Sequence, residues 1–439
     1  MKMRSVGMTL IVGMCLAVLM VACGGDEEEA PPATATPGAT VPGTSTPTAE
    51  GTATAAAEVP GITDTEIILG LHGPQSGTWG AAYAPVINGA EAYFRYLNAE
   101  EGGVCGRDVI LKVEDDQYLP AGAVEAVRKL LERDKVFAII GSIGTSAHSA
   151  VWEELNEKGV PDLWILSGAH KFGSQPEKYP WSVPMLPDYY VEGSIFGKYI
   201  SDNMPGKSVG ILYQNDDWGH DVLNGLKNGL DPEKNELVSE QSYEITALSV
   251  RSQAANLKAS GAEVVISASN PGTTAQIIKE ADRLGWHPQF FVDYVNSDEL
   301  MFLYASPELM EGVITLQANK PSYWTDDPAV AEHHRIQKTY GDVPPGNFTA
   351  VGYGVAALTA EALRHTCDNL TREGLMDSIH TSFKDYLGEL SMPDMPGMTL
   401  SPTDHLATEA MMLLQARVVD GKGRWEYMSD EILHFREEE

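Results

Sequence analysis

Basic residues are scarce in this sequence of 439 residues, which has 30 lysines and arginines against 62 aspartates and glutamates. The formal net charge is therefore −32 at pH 7. This imbalance argues against a nucleic-acid partner, because a polyanion would be repelled by the acidic protein. The hydrophobic content of 43% is normal for a globular protein. The length is enough for two or three domains, or for one body with two lobes.

Motifs of several enzyme classes are also missing. The sequence contains no H-E-x-x-H, no G-x-x-x-x-G-K and no paired-cysteine metal motif. Ser146 with His148 or His170 suggests a hydrolase, but the G-x-S-x-G elbow is incomplete because His148 stands where its last glycine belongs. We therefore expect no enzymatic activity, no cofactor and no metal site. A surface hydrolase is kept as the least favoured alternative.

The N-terminus has the composition of a targeting segment rather than of a folded domain. A short basic segment precedes an apolar run at residues 7–22, which is too short for a membrane span. The run ends in the letters MVAC, and small residues before a cysteine resemble a bacterial lipobox. The resemblance implies a signal peptide at residues 1–22, cleavage before Cys23 and lipidation of Cys23. A plain signal peptide and a membrane anchor are the alternatives.

A linker follows the signal peptide. Residues 24–58 contain no lysine or arginine and are rich in alanine, threonine, proline and glycine, a composition that cannot bury a core. We interpret residues 23–58 as a lipidated cysteine with a disordered tether, which holds the folded body outside the cytoplasm at the membrane surface. With Cys23 lipidated, one pair of cysteines remains in an oxidising compartment. We hypothesise a disulfide between Cys105 and Cys367.

One stretch shows the local pattern of the folded body. Residues 136–140 are a short, branched apolar run that is typical of a strand buried on both faces. A loop of glycine, serine and threonine follows, and apolar residues then recur at helical spacing. A strand that ends in such a loop before a helix presents free N–H groups and hydroxyls, which suit a small anionic or polar group. An ordinary turn with a helix cap is the alternative.

Strands and helices alternate in this way along two successive runs, joined by a proline-marked crossing at residues 179–188. The alternation predicts an α/β fold of two similar lobes, each with a parallel sheet covered on both faces. Ligands of open α/β sheets lie beyond the carboxyl ends of the strands. The loops expected there are small, polar and aromatic, as in a small-molecule cleft: residues 75–80, 142–146, 167–170, 215–218, 267–271 and 293–296.

Segments from these runs carry a family likeness over nearly all of residues 67–427. They read QSGTWG with INGAEAYFRYLN, GGVCGRDV with EDDQ, AIIGSIGTSAHSAV, GVPDLWILSGAH, LYQNDDWGHD and FTAVGYGVAAL. In order and spacing they resemble the substrate-binding proteins of branched-chain amino acid ABC transporters, which have the type 1 periplasmic-binding fold. The resemblance implies two Rossmann-like lobes joined by a three-strand hinge. It divides the chain into lobe 1 at residues 59–186 and 315–396, and lobe 2 at residues 187–314 and 397–439.

The resemblance also implies ligand contacts in the first lobe. Trp79, an aromatic before a glycine, would stack on the ligand. Thr145 and Ser146 would offer hydroxyls, with Ser146 the better placed for a ligand carboxylate. A loop after the fourth strand would supply backbone groups and one side chain, and His170 departs from the family's usual threonine there. The residues of this loop are Gly168, Ala169 and His170.

In the second lobe, Trp218 and Asn270 match family positions that contact the ligand. Amino-acid binders of the family use an acidic residue of this lobe to receive the ligand ammonium. Tyr294 stands at that position, with Asp293 adjacent, and Asp188 at the crossing is another possible acceptor. Family members also bind amides, urea and aromatic carboxylates. The two tryptophans and His170 favour a planar or aromatic acid as a hypothesis.

We therefore expect an extracytoplasmic, lipid-anchored solute-binding protein that closes around a small polar ligand, an amino acid or a related amide or carboxylate. It would deliver this ligand to an ABC permease of the branched-chain amino acid type. A sensing module that reports ligand occupancy to a membrane receptor is the alternative. Neighbouring permease and ATPase genes would favour transport, and a neighbouring kinase gene would favour sensing.

Overall fold

The structure is a computed structural model that describes residues 58–408 and 410–434. The predicted signal peptide, the lipidation of Cys23 and nearly all of the predicted linker lie outside these residues. No helix among the described residues is both long and apolar enough to cross a membrane.

The first lobe is built on a sheet of five parallel strands. These are β1 (Glu66–Gly73), β2 (Asp108–Asp115), β3 (Ala138–Ile140), β4 (Asp162–Ile165) and β5 (Ser182–Pro184). They lie in the order β2-β1-β3-β4-β5. The residues of β3 and β4 are all buried, as expected for strands covered by helices on both faces. The carboxyl ends of these strands point toward the second lobe.

Four helices connect the strands of this sheet: α1 (Gly77–Tyr96), α2 (Pro120–Glu132), α3 (Thr145–Ser149) and α4 (Trp152–Glu157). Short helical turns follow α1 and β4 at Leu97–Glu101 and His170–Phe172. Two sequence-based boundaries were wrong. The first helix begins at Gly77, within the loop predicted at residues 75–80, so Trp79 lies in its first turn rather than in a loop. The helix placed after Ser146 is interrupted between α3 and α4.

The second lobe has a larger, mixed sheet. Its strands are β6 (Ser208–Gln214), β7 (Glu236–Tyr243), β8 (Val264–Ala268), β9 (Gln289–Val292), β10 (Ile314–Gln317), β11 (Ala410–Val419), β12 (Lys422–Tyr427) and β13 (Leu433–His434). They lie in the order β12-β11-β10-β9-β8-β6-β7, and β13 pairs with β11. Strand β11 runs antiparallel to its neighbours. The sequence reading missed β7, because this edge strand is polar and largely half-exposed.

Six helices follow the crossing into this lobe: α5 (Tyr189–Asn203), α6 (Asp217–Gly229), α7 (Arg251–Ala259), α8 (Pro271–Arg283), α9 (Leu300–Tyr304) and α10 (Pro307–Met310), with a short turn at Tyr294–Asn296. Three more come after β10: α11 (Pro328–Tyr340), α12 (Asn347–Arg364) and α13 (Arg372–Ser382). Helix α12 packs tightly on α1, since a Cβ at Gly352 would lie 1.8 Å from the carbonyl oxygen of Val86.

Within the described residues the chain passes between the lobes three times: after β5, after β10 and after α13. Strand β10 extends to Gln317, beyond the limit predicted for this part of lobe 2. Leu400 packs in the core of the first lobe, within the stretch predicted for lobe 2. A disulfide joins Cys105 to Cys367, with an S–S distance of 2.08 Å. It ties the chain after α1 to the chain after α12.

A series of buried, hydrogen-bonded side chains, called here the buried chain, links several strands of the first sheet. Nδ1 of His72 is 2.8 Å from Asp116, Nε2 of His72 is 3.1 Å from Nδ1 of His148, and Nε2 of His148 is 2.8 Å from Asp162. All four side chains are fully buried. The buried chain links β1, the loop after β2, α3 and β4, and it therefore holds the loop before α3 in place.

Replacing His148 with alanine should lower the free energy of unfolding by about 3–5 kcal/mol, because Asp162 would remain buried without its donor. Chemical denaturation would measure the change. His287→Ala, at an exposed histidine, is the control and should stay within about 0.5 kcal/mol of the wild type. Equal stability of the two variants would show that the buried chain does not hold the lobe together.

Candidate functional site

A cavity of about 290 Å³ lies where the two lobes meet. Both lobes contribute residues to the wall of the cavity, and most of these residues are aromatic or apolar. Those of the first lobe include Tyr83, Tyr118, Ile143, Gly144 and Leu166, and those of the crossing and the second lobe include Pro187, Tyr189, Trp218, Tyr294 and Ser297. The volume is close to the lower end of the range for small-molecule sites, about 300–1,000 Å³.

Three stacked rings form the second-lobe wall. Tyr189 lies between Trp218 and Tyr294, with ring centroids 5.5 Å away on either side. The hydroxyl of Tyr294 donates to the carbonyl oxygen of Pro187 at 2.8 Å. The indole Nε1 of Trp218 donates to Oδ2 of Asp293 at 2.6 Å. These bonds hold the aromatic wall in one arrangement, so it can offer flat apolar faces to a ligand.

The lobes touch through the N-terminal end of α6. Oγ of Ser146, on the first lobe, donates to Oδ2 of Asp216 at 2.5 Å. The backbone N–H of His170 donates to Asp221 at 2.9 Å, and the ammonium of Lys171 lies 2.6 Å from Asp217. Carboxylates of the second lobe thus contact hydrogen-bond donors of the first lobe. The two lobes are therefore closed against each other in this structure.

Trp79 takes part in the same closure. Its ring is 8% exposed and lies against the start of α8 in the second lobe, where a Cβ at Gly272 would come within 2.8 Å of the ring. The glycine therefore permits a close approach between the lobes that a larger residue would prevent. Trp79, Ser146 and Trp218, which the sequence analysis expected at one crevice, are gathered at the junction of the lobes.

The sequence profile that matches this chain is that of the periplasmic binding protein family, over residues 66–423. The chain belongs to the periplasmic binding protein family. The amino acid binding protein of Pseudomonas aeruginosa is 25% identical over 293 residues, which are 66% of this chain and 75% of that protein. The resemblance described from the sequence and the two-lobed fold are both confirmed.

Solved structures share the fold of this periplasmic binding protein. A branched-chain amino acid ABC transporter protein from Thermus thermophilus, with bound valine, has a TM-score of 0.75 at 19% identity and covers 85% of this chain and 98% of its own. A fatty acid ABC transporter substrate-binding protein from Thermomonospora curvata has a TM-score of 0.71 at 23% identity, with coverage of 84% and 93%.

The acidic residues considered for a ligand ammonium are engaged within this periplasmic binding protein. Asp293 is fully buried and accepts from Trp218 and from the N–H of Val295. It also pairs with the buried carboxyl of Glu192, whose other oxygen accepts the N–H of Tyr294 at 2.8 Å. Burial raises the pKa of Glu192 well above its ordinary value and also raises the pKa of Asp293.

The other acid, Asp188, caps α5 by accepting the N–H groups of Tyr190 and Val191. Its Oδ2 lies 2.6 Å from Nδ1 of His170, a side chain that is half exposed. Of the acceptors proposed for an ammonium, only Tyr294 lines the cavity. The carboxylates that do line it, Glu361 and Glu389, belong to the first lobe.

The remaining predicted contacts have partners within the protein. Oγ1 of Thr145 hydrogen-bonds Ser167 at 2.7 Å. The carbonyl of Gly168 accepts from Tyr189 at 2.8 Å. Ala169 is buried, and Asn270 caps α8 by accepting the N–H of Thr273 at 3.0 Å. Their roles as ligand contacts stay predictions, as do those of the other residues named from the resemblance.

Much of the cavity wall comes from α12 and from the chain after α13. No residue of these segments was predicted from the sequence as a ligand contact. The segment FTAVGYGVAAL was recognised as family-like, but no site residue was assigned in it. Ala350, Gly354 and Ala357 face the cavity at helical spacing. Small residues on one stripe of an otherwise apolar helix were the available signal.

Closure should be favoured by acid. Burial raises the pKa of Asp221 to about 7, with the carboxyl of Asp188 adding to the effect and the N–H of His170 opposing it. In the closed form, Asp221 therefore keeps its proton up to a pH of about 7. In an open form, where Asp221 is in water, the carboxyl loses its proton at lower pH, so acid favours the closed form. Raising the pH through about 7 should open the lobes, and small-angle scattering would show a larger radius of gyration at pH 8 than at pH 5.

Asp221→Asn should weaken this pH dependence, and a smaller part should persist because burial also raises the pKa of Asp216. The matched control is Asp282→Asn, which removes an exposed carboxylate of α8 and the same charge. A pH profile of Asp221→Asn that coincides with that of the control would contradict the assignment.

Proposed function

We propose that this chain is an extracytoplasmic, lipid-anchored solute-binding protein that delivers a small ligand to an ABC importer with a permease of the branched-chain amino acid type. The observation that carries the proposal is the cavity walled by both lobes, because only closure completes such a site. Family membership and the names of the relatives support transport. The lipobox-like letters before Cys23 support the anchor.

The proposed cycle follows from the contacts between the lobes. A ligand that enters the open cleft meets Tyr83 and Leu166 on one lobe and Trp218 and Tyr294 on the other. Closure then adds the bonds of Ser146 and its neighbours to α6, and removes water from the ligand. A partner that recognises only the closed form reads ligand occupancy as a shift in population.

The charges at the site favour a ligand without an ammonium group. Asp293 and Asp188 are committed to protein donors, and the part of the wall formed by the second lobe is aromatic and polar but uncharged. An ammonium group would therefore be desolvated there without a carboxylate to pair with it. Among the classes expected from the sequence, carboxylic acids and amides fit this wall better than α-amino acids.

Isothermal titration with leucine, valine, urea, short amides and aromatic acids would test solute binding. We expect at least one acid or amide to bind, more tightly than the amino acid of similar size. Folded protein that binds no solute in such a panel would contradict the proposed function. A preference for leucine or valine would contradict the proposed ligand class and leave the function intact.

Ser146→Ala should weaken every ligand that binds, whatever its charge, by about tenfold, because the variant leaves the partly buried Asp216 without a hydrogen bond that closure normally supplies. Titration with one charged and one neutral ligand would measure this. Ser149→Ala is the control, since that hydroxyl bonds the carbonyl of Thr145 within its own helix. A loss restricted to anionic ligands would show instead that Ser146 contacts the ligand directly.

A further inference from the structure

The cavity extends far beyond the junction of the lobes. Its wall includes residues of α12 from Asn347, at the junction, to Arg364, at the other end of the helix. Helix α12 has 18 residues, so it is about 27 Å long. A cavity of about 290 Å³ that follows this length is narrow. We call the part that runs along α12, from Ala350 to Arg364, the α12 channel.

Apolar and aromatic side chains form most of the wall of the α12 channel, and among the described residues only Glu361, Arg364 and Glu389 bring charge to it. Val86 and Tyr93 of α1 form one side, and the ring of Tyr93 meets the ring of Tyr353 edge-on with centroids 4.9 Å apart. Tyr386, Leu390 and Met398, from the chain after α13, form the other side. Such walls offer a hydrocarbon chain many contacts and few hydrogen bonds.

Small residues on α12 keep the channel open. Ala350, Gly354 and Ala357 lie on the stripe that faces it. Among the described residues outside its own turn of helix, no heavy atom lies within 4 Å of where a Cβ at Gly354 would stand. The channel is therefore open space at this position. An amino acid side chain bound at the junction of the lobes would leave most of this length unfilled.

The two ends of the cavity differ in chemistry. At the junction, Gln317 is 9% exposed and lines the wall, and its Oε1 has no hydrogen-bond partner among the described residues. A buried amide oxygen without a partner favours a ligand that donates a hydrogen bond to it. The exposed Glu389 lies 3.5 Å from the hydroxyl of Tyr353. At the far end lies the exposed Arg364, paired to Glu101 at 2.7 Å, with Glu361 three residues before it. The far end therefore opens toward water.

We propose that the ligand is an amphiphile, with a polar head beside Gln317 and an extended hydrocarbon chain in the α12 channel. This inference rests on the proposed solute-binding function and specifies its ligand class. The head is an uncharged hydrogen-bonding group, because no cationic side chain lines the cavity at the junction within the described residues. The chain follows α12 from Ala350 past Gly354 and Ala357.

The test is isothermal titration with straight-chain primary amides of four to twelve carbons, and with the monocarboxylates of the same lengths, each below its micelle concentration. For wild-type protein we expect binding to tighten by about fourfold with each methylene that enters the channel. The amides should bind more tightly than the carboxylates at pH 8. Affinity that does not depend on chain length, or chains above six carbons that do not bind, would overturn the inference.

Two variants measure how far the hydrocarbon chain of the ligand extends along α12. Gly354→Leu should gain nothing from carbons beyond those that reach this position, so its affinity should stop rising at a shorter chain than in the wild type. Ala357→Leu, nearly one turn farther from the junction, should accept a longer chain before the gain stops. Gly354→Ala is the matched control, since it removes the same glycine but adds only one methyl, and it should keep most of the chain-length dependence.

Both leucine variants replace a helix residue with a strong helix former, so the fold should persist. If both keep the wild-type dependence on chain length, the chain does not lie along α12 and the inference fails. If leucine, urea or another short polar solute binds and no long chain does, the inference fails while the proposed function stands. If no solute of either kind binds, both fail.

Discussion

The hydrogen bonds between the donors of the first lobe and the acids at the start of α6 are the interactions on which the site depends. Ser146, the backbone of His170 and Lys171 meet Asp216, Asp221 and Asp217, respectively. Asp216 and Asp221 are partly buried and Asp217 stays exposed, and a carboxylate leaves water only at a cost unless it gains donors where it becomes buried. Each of these acids gains one donor from the other lobe. Closure therefore has its own polar contacts, and the ligand does not have to supply all of them.

The donors can perform this role because the first lobe holds them in fixed positions. The chain from Asp116 through His72 and His148 to Asp162 ties the strand ends to α3, directly beside Ser146. On the second lobe, the bonds of Asp293 and Glu192 fix the aromatic wall in a similar way. Three crossings link these two braced lobes, which is the arrangement expected of a hinged binding protein.

Membership of a family does not by itself determine what this chain binds. Asp293, one of the acids predicted for a ligand ammonium, is buried away from the cavity and accepts a hydrogen bond from Trp218. Tyr294 takes its place on the wall. The second lobe thus presents an aromatic, uncharged surface, and the cavity continues from it along α12. Function is determined by these side chains and not by the fold that carries them.

The sequence by itself determined the fold class, the family and the loops that meet at the junction of the lobes. The fold class and the loops follow from hydrophobic periodicity and from glycine-rich turns, which are local properties. The family follows from the resemblance of several segments in their order and spacing. It did not reveal β7, whose pattern as a polar edge strand is weak, nor the early start of α1, since Pro85 is accommodated within the helix.

Only the tertiary structure decided which polar groups are free to meet a ligand. Ser146 and Asp293 had suitable chemistry in the sequence, but their partners Asp216 and Glu192 are distant in the chain and are brought close by folding. The α12 channel is likewise a gap between α1, α12 and the chain after α13. A gap has no local pattern, because it arises from how separately encoded surfaces pack against one another.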